Sequence, residues 1–313
     1  MGRVTGDPTL FLSVSVKPIK ILTTNAATGS GWLTKNITIM NDTLGHYTNL
    51  DAMLNIIQRD GLHFRGTHYT MLNDSLEFKW SIEVLKEKIK DKERLSEEEV
   101  HRYYDLFPYV VSLSEAIDDH LLWHLYGKCG YGICMVLDRK MLKMDSDQLL
   151  NEFNIKRNWH ILLNVKYANK YNHLSILDDL KNDYEDEYFE SENDDYDNIA
   201  VCCAFLKQED WQCEREVRYA IVRNKIMQGR YNPNVKDKNT LSAFEDTENI
   251  RYYARGSELV PYIDVYFPSK ALTAIVVGSR LDFEKTKANI KKVLKNLGTE
   301  YSHVEVIKSE TPF

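Results

Sequence analysis

PYVVSLSEAIDDHLLWHLYGKCGYGICMVL, residues 108–137, compresses a strand, a short helix and a second strand into one continuous stretch. Pro108 opens the apolar run Tyr109–Ser114, which reads as a strand. Asp118-Asp119 can cap a helix over 120–126, and Gly127, Gly130 and Gly132 turn the chain into a strand over 132–137. Helices and strands mix here and elsewhere without strict βαβ alternation. That pattern predicts an α+β fold with a mixed, largely antiparallel sheet and flanking helices.

Upstream, Leu50, Met53, Leu54, Ile56 and Ile57 recur at helical spacing behind a capping Asn49, and Asp60-Gly61 ends that helix. Asn73-Asp74-Ser75 predicts the start of a second helix through Phe78, Trp80, Ile82, Leu85 and Ile89, and Ser96 the cap of a short third. Downstream, strands are expected around 161–167, 216–222, 263–267, 272–277 and 303–307, with an amphipathic helix over 283–297. Residues 1–42 read as an N-terminal extension and 43–313 as one domain. The acidic run 178–197 reads as a solvated helix face or loop, with the alternative that it is an insertion covering a site.

The chain has 313 residues, 43% of them hydrophobic and 28% charged, with 19 Tyr, 11 Phe and 5 Trp, enough to build a large core. Five cysteines with no C-x-x-C pair read as reduced thiols and give no zinc-ligand spacing, so no metal is expected. No stretch approaches the ~18 to 20 apolar residues of a membrane helix, and no cleavable leader stands out, so a cytoplasmic location without membrane partners is expected. A formal charge of -7 provides no global attraction for nucleic acid.

Four segments carry residues suited to chemistry. His46-Tyr47-Thr48 places an imidazole beside a hydroxyl, a pair able to bind a ribose or phosphate, or simply to cap the next helix. Ser112 and Ser114 share one face of their strand, with Val111 and Leu113 on the other, and no G-x-S-x-G elbow surrounds them. Trp123 and Tyr126, three apart on a helix, either pack on the sheet or wall a pocket. In Trp211-Gln-Cys-Glu-Arg-Glu-Val-Arg218, a strand beginning near Glu214 would send Glu214, Glu216 and Arg218 to one side and Val217, Tyr219 and Ile221 to the core.

Taken in order, His46 to Asn49, Asn73 to Glu77, Ser112 to Glu115, Leu122 to Cys134, Trp211 to Arg218 and Gly278 to Arg280 resemble the motifs of a bacterial domain-of-unknown-function family, DUF2971. Asn49, Ser75 and Val217 stand where that family commonly has Ser, Pro and Trp. The motif order in turn resembles the ADP-ribosyltransferases. That likeness implies a split sheet and NAD as substrate. It implies His46 and Thr48 at the ribose, Ser112 and Ser114 at the nicotinamide, Trp123 or Tyr126 stacking on a ring, Glu216 catalytic, Glu214 serving the acceptor, and Arg218 on a carboxylate or pyrophosphate. The acceptor would be a protein or nucleic acid, and the setting a toxin or antiphage effector. Two alternatives keep the same residues: an NAD glycohydrolase or nucleotide phosphotransferase, and a non-catalytic sensor of a nucleotide or peptide.

Overall fold

Alternating apolar residues make the strands, and pairing between distant segments sets their order. The computed structural model describes residues 42–72, 75–88, 107–142, 158–188, 201–223 and 250–313, all within the compact unit Met40–Phe313. The elements run β1 (Thr43–Thr48), α1 (Leu50–Ile56), β2 (Ile57–Gln58), β3 (Gly61–His68), α2 (Ser75–Lys88), β4 (Tyr109–Ser114), α3 (His120–Leu125) and β5 (Ile133–Asp138). There follow β6 (Asn158–Asn164), β7 (Lys166–Ala168), α4 (His173–Tyr188), β8 (Leu206–Gln208), β9 (Glu216–Arg223), β10 (Arg251–Arg255), β11 (Glu258–Phe267), β12 (Leu272–Val277), α5 (Phe283–Leu297) and β13 (Glu305–Lys308). This is the expected α+β mixture.

The main sheet has eleven strands along the path β10-β11-β3-β4-β1-β5-β12-β13, with β2 on β3 and β6-β9 on β4. Its pairs are antiparallel except β12 with β13, and β7 and β8 form a separate parallel ribbon. The sheet forks at β4. One edge of β4 is zipped to β9 from Tyr109↔Ile221 to Ser114↔Glu216. The other is shared: β3 takes Tyr109 and Val110, and β1 takes Ser114. Between those partners the carbonyl of Ser112 lacks a strand neighbour, and the His46 ring fills the gap, with Nδ1 3.1 Å from that oxygen.

Both faces of the sheet are covered. On one, α1 and α5 pack Met53, Ile56, Ile290 and Leu294 against residues such as Val111, Leu113, Val217 and Tyr219. On the other, α2 and α4 pack on Val110, Ile161 and Ala220, while α3 packs separately on Tyr47, Val136 and Val276. The parity follows from the pleat, since neighbouring residues of a strand point to opposite faces.

Local chemistry fixes the short elements. Asn49 Oδ1 accepts from Ala52 N at 2.8 Å and Asp119 Oδ1 from Leu121 N at 2.9 Å, so both expected caps are present. The helix after Asn49 stops at Ile56, because the chain folds at once into the β2–β3 hairpin around Gly61. Gly61 has φ +145°, and a Cβ there would stand 2.6 Å from the Phe267 carbonyl oxygen. Asp118, at φ 59°, ties the loop before α3 to the segment after β13. Its carboxylate accepts from Trp123 Nε1 (2.6 Å), Ser309 Oγ (2.5 Å) and the Glu310 amide (2.7 Å), and its carbonyl from Thr311 Oγ1 (2.6 Å).

Other expectations are corrected in detail. The strand expected over 161–167 is two strands meeting at Val165. Helix α4 carries the first part of the acidic run, with Leu177 and Leu180 buried against α2 and the sheet and Asp178 and Asp179 exposed. Residues 251–255, outside the expected strands, form β10. The expected cap at residues 73–74, the helix after Ser96, the second half of the acidic run and the extension over 1–41 lie outside the described residues.

Candidate functional site

Pleat parity assembles the site. On the face shared by the α2–α4 and α3 layers, β1 presents Gly45, β4 presents Ser112 and Ser114, and β9 presents Glu216 and Arg218. The two helical layers do not meet over these positions. Between them lies a cavity of about 560 Å³, walled by Leu76 and Glu77 of α2 and by Leu122, Leu125 and Tyr126 at α3, with Trp211 beside them.

The floor is an ion network. Arg218, 1% exposed, donates from Nε to Glu216 Oε1 (2.9 Å), from Nη2 to Glu216 Oε2 (2.9 Å) and Glu77 Oε1 (2.5 Å), and from Nη1 to the Ala204 carbonyl. Its guanidinium also lies 5.4 Å from the Tyr69 ring. Lys207 Nζ reaches Glu214 Oε2 (2.5 Å), Glu216 Oε2 (3.3 Å) and Glu77 Oε2 (3.4 Å), so one ammonium spans three carboxylates. Tyr126 donates to Glu214 Oε1 at 2.6 Å, and Tyr167 Oη accepts from the Glu216 amide at 2.8 Å. Ions this deep survive only because each is paired and hydrogen-bonded.

Protonation follows from the pairing. Burial by itself would raise the Glu216 carboxyl, but Arg218, Lys207 and the Ser112 hydroxyl outweigh it and hold it at about 2. Burial likewise opposes the charges of Arg218 and Lys207, and the surrounding carboxylates overturn that and raise both. Burial, then the charge of Glu214, raises the Tyr126 phenol, so it remains a donor. Burial lowers His46 and keeps the imidazole neutral near pH 7. Glu216, Lys207 and Arg218 are thus ionised at neutral pH, and the Tyr126 phenol is protonated.

The structure gathers Glu214, Glu216, Arg218, Ser112, Ser114, Tyr126 and His46 around this cavity. Their work differs from what strand spacing predicts. Glu214 is not on the strand: it ends the turn Glu209–Glu214, and Arg215 at φ 42° reverses the chain so that Glu214 and Glu216 are both buried. Both carboxylates therefore face inward across a kink rather than by alternation. Ser114 gives its proton to the Glu214 carbonyl (2.6 Å) and accepts from Ala116 N (2.9 Å), which bolts β4 to that kink. Ser112 is the exposed hydroxyl of the pair.

His46 shares the parity of Leu44, so its ring stands in the fork against Phe64 and borders the cavity there. Thr48 has that same parity at the end of β1, opposite Ile133, away from the cavity. Trp123, fully buried on Tyr47 at 5.1 Å, is a core residue and does not line it. Helix α3 ends at Leu125, which sends Trp123 inward and leaves Tyr126 39% exposed at the cavity wall.

Sequence reasoning passed over Glu77 and Lys207 as site residues. Glu77 stood inside the Asn73 to Glu77 motif, and Lys207 was a lone cation after the apolar run Val201–Leu206, so each left a local signal. Among the described residues no group of three or more His, Cys, Asp or Glu is arranged to hold a metal ion, and no helix is long and apolar enough to cross a membrane.

Fold and site together define an α+β protein with an ion-floored cavity between two helical layers. Residues 122–219, from α3 to the middle of β9, match the model of a family described as Protein of unknown function (DUF2971), the family its motifs resemble. No curated protein and no solved structure matches the chain.

Proposed function

We propose that the cavity takes NAD as substrate and that the protein breaks its nicotinamide–ribose bond, passing ADP-ribose to an acceptor on a protein or nucleic acid. The observation that carries the reading is convergence: Glu77, the pair Ser112 and Tyr126, and the pair Glu214 and Glu216 come from three distant segments and line one cavity of about 560 Å³. That volume suits a small-molecule site, and such groups seldom converge without a ligand to recognise. Heterolysis of the C1′–N bond leaves the electron pair on nicotinamide, which departs neutral, and positive charge on the ribose ring. A carboxylate beside that ring stabilises the charge as it develops. The acceptor's lone pair then closes on C1′ and its proton passes to a base. With water as acceptor the same step is NAD hydrolysis.

The two glutamates divide the labour. Glu216 is held by Arg218, Lys207 and Ser112, which occupy the roughly four acceptor positions of a carboxylate. Among the described residues Glu214 accepts from Tyr126 and Lys207, which leaves acceptor capacity toward the cavity. Glu214 is therefore the carboxylate that touches substrate, and Glu216 the residue that positions the floor. A second reading, a non-catalytic sensor, is favoured by the same saturation, because Lys207 and Arg218 are both already ion-paired. Nicotinamide release measured by chromatography separates them. Wild type should release nicotinamide, and Glu214→Gln should lose about a hundred-fold or more, the loss typical of one electrostatic stabiliser. Wild type inert toward NAD with water, protein and nucleic-acid acceptors all present would sink the enzymatic reading.

A further inference from the structure

We infer that the ligand group seated on the cavity floor is an organic cation. The inference rests on the cavity being a ligand site, but not on NAD or on bond cleavage. Among the described residues three acidic groups, Glu77, Glu214 and Glu216, face two cations, Lys207 and Arg218, so acids outnumber bases by one. His46 is neutral at the border and adds nothing to the balance. Excess charge in a water-poor recess is unfavourable until a counter-charge arrives.

The excess falls to Glu214. Arg218 is consumed by Glu216, Glu77 and the Ala204 carbonyl, so Glu216 has its own counter-ion, and Glu77 shares it. Among the described residues Glu214 has the ammonium of Lys207, which it shares, and one phenol proton. Its neighbours suit a cation with an apolar body. Tyr126 and Trp211, whose ring already lies 5.4 Å from the Lys207 ammonium, line the cavity, and Leu76 (65% exposed) and Leu125 (42% exposed) add apolar surface. An anionic group has no such welcome, because the guanidinium that would bind a phosphate is already spent within the floor. Any phosphate on the ligand lies outside it.

The test compares two probes of one shape: 1-methylnicotinamide, which carries a ring cation, and 3-methylbenzamide, its neutral isostere. Titration calorimetry of the wild-type chain should show the cation bound about ten-fold tighter or more, as expected when a desolvated charge meets an unbalanced carboxylate. In Glu214→Gln, with folding checked by circular dichroism, the preference should fall to within about three-fold. Equal affinities, a preference for the neutral probe, absence of cation binding at millimolar concentration, or a preference that survives in Glu214→Gln would each overturn the inference. The wild-type comparison stands alone if the variant fails to fold. Nicotinamide release from NAD is read separately: cation preference without release removes only the catalytic reading, and release without cation preference removes only this one.

Discussion

Replacing Glu216 by glutamine is expected to cost about 3 kcal/mol of folding stability at pH 7 and very little near pH 2. The carboxyl of Glu216 is held at about 2 by Arg218 and Lys207 against burial, compared with an ordinary 4.5. A shift of that size corresponds to ~3 kcal/mol between its charged and neutral forms. The folded value lies below the unfolded one, so the unfolded chain takes up the proton first as pH falls. The contribution is therefore complete above about pH 5 and is lost as pH drops toward 2, roughly 1 kcal/mol by pH 4 and roughly 2 by pH 3. Glutamine resembles the protonated acid, so it removes what the wild type itself loses in acid. Urea unfolding at pH 7, 5, 4 and 3, followed by tryptophan fluorescence and far-ultraviolet circular dichroism, gives the difference directly. A wild-type-to-variant gap that stays constant across that range, or one absent at pH 7, would refute the assignment of Glu216 as the charged centre of the floor.

Asp118→Ala removes the acceptor of Trp123 Nε1, Ser309 Oγ and the Glu310 amide and leaves a buried indole N–H unpaired; about 2 to 4 kcal/mol of stability should be lost, with faster amide exchange across 309–311. Gly61→Ala drives a Cβ to 2.6 Å from the Phe267 oxygen at φ +145° and should cost about 1 to 3 kcal/mol, read as a lowered Tm, whereas Gly256→Ala, at φ +61° with nothing within 4 Å, should cost about 1 kcal/mol or less.

Strands and helices that obey one local period were legible in the sequence. Leu272–Val277 and Phe283–Leu297 have the bounds their patterns predict, and Tyr109–Ser114 presents its serines and its Val111-Leu113 pair to opposite faces as expected. The site was legible as a set of residues and illegible as a geometry. Even spacing places Glu214 on the strand with Glu216, but the left-handed Arg215 intervenes, and a non-glycine residue at φ 42° leaves no periodic trace. Glu77 meets Arg218 across 141 positions of sequence, a contact that tertiary packing alone creates. The fork that receives His46 depends on two strands sharing one edge of a third, and no single segment encodes it.

The order of strands in the sheet also dictates how the chain must be made. From Leu62 to Thr67, β3 is paired with Phe267 to Tyr262 of β11, which the ribosome adds about 200 residues later. Until β11 emerges, that edge of β3 carries open amides and carbonyls beside Phe64, a template for pairing with a neighbouring nascent chain. Folding of this sheet is therefore completed late, after most of the chain has been made.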